Sequence, residues 1–150
     1  MRIAIRPIVV QYPRVAAWLG GVALLLAAII DNAWVQRPVA TLILVLAVAL
    51  LRAFPIPLSK YSYLTQIGIP LLAGMVIVGA APATIAAGFG VFLADWGWQR
   101  KPARFALINA GREALAVVSA FGVYAFVRDL TGVHGFTLDF LPAGLALVGA

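Results

Sequence analysis

Cysteine is absent from this 150-residue chain, which excludes disulfides and thiolate metal sites. There is one histidine, His134, so no imidazole cluster can hold a metal ion. Charge is also scarce. Only 11% of residues are charged and five are acidic, whereas a soluble domain is about one quarter charged. Paired carboxylates at working spacing, a nucleophile beside a base and a phosphate-binding glycine loop are all missing. The sequence offers no catalytic residues, and no enzyme activity or cofactor is expected within it.

What is present is apolar. Hydrophobic residues make up 64% and the mean hydropathy is +1.05. This composition points to an integral membrane protein. The apolar runs are continuous and do not alternate with period two, so helices are expected in place of a barrel. No cleavable signal peptide is evident, because "DNAWVQRP" after the first run lacks a small-x-small site.

Six segments can be drawn: 15–35, 38–54, 63–80, 83–98, 105–127 and 140–150. Spanning a bilayer takes about 20 helical residues, so the last is incomplete. The sequence therefore predicts an all-α polytopic bundle, with five complete spans and a truncated sixth. Residues 1–150 read as a single membrane domain, with a cytosolic output domain expected to follow. Pro82 suits the first turn of the fourth helix and "GAAPA" a tight hairpin before it, while Pro70 is a candidate kink in the third.

Basic residues set the expected orientation. With the N-terminus in the cytoplasm, Arg2, Arg6, Arg14, Arg52, Lys60, Arg100, Lys101 and Arg104 lie inside, against Arg37 and Arg128 outside. This agrees with the positive-inside rule and implies a multi-pass protein of the bacterial inner membrane. The net charge of +6 is then a matter of topology and lipid headgroups, with the bilayer as partner and no nucleic acid. Small residues recur at four-residue spacing in Ala80/Thr84/Gly88, Ala86/Gly90/Ala94 and Ala116/Ala120, as close helix packing in lipid requires.

The polar exceptions are the candidate sites. In "LINAGREALAVV", Asn109, Arg112 and Glu113 share one helical face. Arg112 lies eight residues past Arg104, or roughly 12 Å along the helix. Asp95, near the end of the preceding helix, is the acid expected to pair with Arg112. Asp95, Asn109, Arg112 and Glu113 thus form a candidate intramembrane cluster, either a sensing site or an interhelical lock. On the outer side, Asp31 and Asn32 are candidates for a vestibule or a simple helix end. His134 is a candidate pH sensor or a solvated loop residue.

Residues 68 to 132 carry a further pattern: a Gly-Pro-Ala hairpin, an apolar helix ending in Asp, a basic loop, then a Phe…Asn helix with a Tyr and a Gly. The marks are Pro82, Asp95, Arg100, Phe105, Asn109, Tyr124 and Gly132. This stretch resembles the N-terminal multi-helix membrane region of bacterial signalling proteins whose output modules are of the HD-GYP, GGDEF, GAF or histidine-kinase type. The "GRE" at 111–113 departs from that pattern, where Gln or a small residue is common. The resemblance implies a membrane anchor and input domain for cyclic-dinucleotide or phosphorelay signalling, working as a homodimer, with its ligand unspecified. Two other readings fit the composition: a substrate-binding subunit of a vitamin-type transporter, and a structural subunit of a membrane complex.

Overall fold

The structure, a computed structural model, describes residues 6–59, 62–64 and 66–132, with side chains over 13–56 and 66–132. Helix α1 (Arg6–Ile30) is followed by the short α2 (Ala33–Gln36) and by α3 (Pro38–Ala53). Strands β1 (Ile56–Ser59) and β2 (Ser62–Leu64) make an antiparallel hairpin, with Ile56 opposite Leu64 and Pro57 opposite Tyr63. Helix α4 (Gly68–Ile77) leads into α5 (Ala80–Ile85). That helix continues without a break through two π-helical stretches, Ala86–Gly90 and Leu93–Trp98. The resulting rod, 80–98, is followed by α6 (Ala103–Thr131).

Local chemistry sets the boundaries. Pro38 opens α3, where its missing N–H costs nothing. Pro55 stops α3, because the residue before a proline avoids helical geometry. Pro70 sits in the first turn of α4, where its missing N–H is tolerated. Gly79, at φ +131°, makes the turn between α4 and α5 that a side chain would strain. Gly132, at φ +66°, closes α6 in the left-handed cap conformation.

The expected set of five complete spans and a partial sixth requires correction. Among the described residues, two helices are long and apolar enough to cross a membrane: α1 over Pro13–Ile30, and α6, Ala103–Thr131. Helix α3 has 16 residues and α4 only 10, both below the ~20 that a span requires. The third segment, 63–80, is shortened because its first residues enter the hairpin. The first is cut at Ile30, where Asp31 turns the chain. The fourth is not a uniform α-helix, since it alternates α and π turns. Apart from the short hairpin, the described fold is helical, as expected. Segment 140–150 lies outside the described residues.

The packing inverts the usual arrangement. The fully buried positions are small or modest in size: Ala81, Ala83, Ala86, Ala87, Val48 and Val91. Many large apolar side chains point outward, including Trp18, Ile29 and Ile30, while Ile67, Leu71, Met75 and Tyr124 are buried. Only 11% of the α1 span and 22% of α6 are buried, whereas the core helix of a soluble protein is mostly buried. A surface rich in Leu, Ile and Trp over a core rich in Ala suits lipid. There is no hydrophobic drive between helices in lipid, and close backbone approach supplies the cohesion.

The closest approach joins α1 to α6, the most extensive helix pair. A Cβ added to Gly20 would fall 1.8 Å from the Gly111 carbonyl oxygen, and one on Gly111 would fall 2.6 Å from Ala17 Cα. Backbone therefore lies on backbone. Of the expected small-residue rows, Thr84, Gly88, Ala86, Gly90 and Ala94 are buried. In α6 the seam runs through Ala106, Ala110, Gly111, Ala114, Val117, Ala120 and Tyr124, and Ala116 faces outward.

Candidate functional site

Asp95, in the second π stretch, is wholly buried, and its carboxylate gathers three side chains. Oδ1 accepts from Arg52 Nε at 3.1 Å and from Lys101 Nζ at 2.9 Å. Oδ2 accepts from Asn109 Nδ2 and, at 3.4 Å, from Arg52 Nη2. The Asp95 carbonyl accepts the Lys101 N–H at 2.8 Å, and Gln99 Nε2 donates to the Arg52 carbonyl at 2.8 Å. The clasp thus ties the end of α3, the end of the 80–98 rod, the link to α6 and the second turn of α6. Arg100, in that link, holds a positive φ of 52°, which a non-glycine residue adopts at a cost. The Phe54 and Trp98 rings meet edge-on at 5.2 Å beside the same end.

The chemistry of this arrangement is restraint. A buried charge requires a partner and hydrogen bonds to its remaining lone pairs. Asp95 has both, with four donor contacts on two oxygens. Both carboxylate oxygens are thus engaged within the bundle.

The sequence brought Asp95 and Asn109 into one cluster, and the structure joins them directly. The expected Asp95–Arg112 pair does not form. Asn109 is level with Asp95, and Arg112 lies nearly one turn farther along α6, about 4.5 Å along the axis, where its side chain is exposed. Arg52 and Lys101 take the carboxylate instead. Arg112 is exposed and Glu113 half-buried, and neither makes an ion pair or side-chain hydrogen bond among the described residues. Sequence reading missed Arg52, Gln99 and Lys101 as members of the clasp. Arg52 and Lys101 were both accounted for as basic residues that set the orientation. Their placement beside the ends of α3 and the rod was the available signal.

At the opposite end, Asp31 Oδ1 accepts the Ala33 N–H at 2.9 Å and Oδ2 the Ala81 N–H at 3.1 Å. It therefore caps the starts of both α2 and α5. Asn32 Oδ1 accepts from Gln36 Nε2 at 2.8 Å, and Arg37 Nη1 donates to the Ile77 carbonyl at 3.0 Å. Asp31 and Asn32 are taken up by these local bonds and do not form a vestibule. His134 lies outside the described residues. No family model matches the chain, and no curated protein or solved structure is detectably similar to it.

Proposed function

We propose that this chain is the membrane anchor and input region of a bacterial signal-transduction protein. The observation that supports this most is the clasp. Asp95 and Asn109, two of the marks on which the resemblance rests, are bonded to each other at the start of α6. Other marks have structural roles as well: Pro82 and Tyr124 are buried, and Gly132 caps α6. A helix crossing the membrane, tied at one end to three other segments, is a suitable element for carrying a displacement to an output module. The apolar exterior of α1 and α6 supports the membrane setting. The excess of basic residues at the clasp end supports placing that end in the cytosol, with the N-terminus.

Two measurements test the reading. The chain lacks cysteine, so single cysteines introduced at Phe54 and Asn32 report sidedness without background. Labelling of position 54 only after the inner membrane is permeabilised, with position 32 open from outside, is expected. The reverse pattern would overturn the orientation. The intact mass of the native polypeptide in membranes tests the signalling role. A mass well above 15.8 kDa, with a protease-accessible cytosolic portion, is expected, and a mass near 15.8 kDa would overturn it.

A further inference from the structure

A groove of about 960 Å³ opens between α1, the 80–98 rod and α6. Its walls are apolar and include Trp18, Leu24, Phe89, Phe92, Leu107 and Ile108. Two cations, Arg14 and Arg104, line it as well.

The helix packing places both arginines toward one end. Gly111 of α6 touches Ala17 of α1, while Leu24 and Ala114 both lie beside Gly88. The two helices therefore run in the same direction. Arg14 precedes Ala17 in α1, and Arg104 is in the first turn of α6, near the clasp. The groove thus has an apolar length and a cationic end. Both arginines are exposed, and neither has a carboxylate partner among the described residues.

We propose that this groove binds an anionic phospholipid, with an acyl chain along Phe89 and Phe92 and the headgroup phosphate between Arg14 and Arg104. The proposal rests on the reading of the chain as membrane-embedded. Charge complementarity selects this occupant. A segment of the same chain would be a poor match. Residues 1–5, before α1, hold no acid and one arginine, and residues 133–150 hold a single acid, Asp139. Guanidinium groups pair well with phosphate through several N–H donors. Basic pockets between membrane helices on the cytoplasmic side suit anionic headgroups.

Trp18 lines the groove and is 78% exposed, so it can report on what occupies it. Trp34, Trp96 and Trp98 are replaced by Phe in the full chain, and the protein is reconstituted in phosphatidylcholine vesicles. A minor fraction of brominated phosphatidylglycerol or brominated phosphatidylcholine is then added. Brominated phosphatidylglycerol is expected to quench Trp18 at a mole fraction about tenfold or more below that needed for the zwitterionic lipid. The variant Arg14→Gln/Arg104→Gln, with both sites on the surface, is expected to float with the vesicles and lose that preference. Millimolar inorganic phosphate is expected not to relieve the quenching, which separates a lipid from a free anion.

Equal quenching by both lipids would overturn the proposal while leaving the membrane reading intact. So would a preference that survives in the double variant, or relief by free phosphate. Failure of the protein to float with vesicles at all would instead overturn the membrane reading on which the proposal stands.

Discussion

The two ends of the bundle each centre on one aspartate, yet they work differently. Asp95 holds three side chains, two of them cationic, and one of these, Arg52, comes from 43 residues away. Among the described residues Asp31 holds two backbone N–H groups and no side chain, at the starts of α2 and α5. One end is tied by charge and the other by helix capping. A side-chain clasp depends on ionisation and on each partner. A backbone cap depends on one carboxylate and on helices that already exist. The charged end therefore depends on more groups than the capped end does.

Removing the centre of each end should break the comparison most plainly. Asp95→Ala strands Arg52, Lys101 and Asn109, and is expected to cost about 3–5 kcal/mol. Thermal unfolding in detergent measures this, and a loss no larger than that of a surface substitution would refute the clasp. Replacing Asp95 and Arg52 together by leucine is expected to recover much of the loss, because a well-packed apolar pair is often as stable as a buried ion pair. The double-variant cycle for these two residues should accordingly show strong coupling.

Asp31→Ala is expected to be milder, at about 1–2 kcal/mol, the usual range for losing a helix cap. Hydrogen exchange should localise the effect to the amides of Ala33 and Ala81. Protection lost throughout the bundle would contradict the local role. Arg37→Ala removes one exposed bond to the Ile77 carbonyl, with an expected cost of about 0.5–1.5 kcal/mol. Coupling between Arg37 and Asp31 should be weak, since they share no partner, and a coupling as strong as that of Arg52 with Asp95 would erase the contrast between the ends.

Arg112→Ala sets the lower limit. With no bonded partner among the described residues, its removal should leave unfolding within experimental error of the parent. A large destabilisation would mean that Arg112 pairs with something outside the described residues.

The sequence made some of this legible and hid the rest for physical reasons. Continuous apolar runs marked helices because only helices and closed barrels satisfy the backbone in lipid, and the runs lack a barrel's alternation. Proline and glycine located several boundaries, including Pro38, Pro82 and the turn at Gly79. The hairpin at 56–64 was hidden because it is short and lacks the alternation that marks a strand. The π turns in the 80–98 rod were hidden because they alter the register of a helix and leave its composition unchanged. Within the polar cluster, Asn109 and Asp95 stood out by their rarity in apolar surroundings. Arg52 did not, because a basic residue at a helix end already had an explanation. Its 43-residue separation from Asp95 placed the pairing beyond any local pattern.

The contact of Gly20 with Gly111 also constrains how the chain assembles. These residues are about ninety positions apart, so at roughly 5–20 residues per second α1 waits several seconds for its main partner to be synthesised. During that interval a glycine-faced helix lies open to any neighbour with a small-residue face. Correct pairing therefore depends on the intervening segment that packs on α1, the start of the 80–98 rod, holding the place until α6 arrives. Slowing translation between residues 30 and 103 should lower the yield of folded protein, although every contact in the finished molecule would be unchanged.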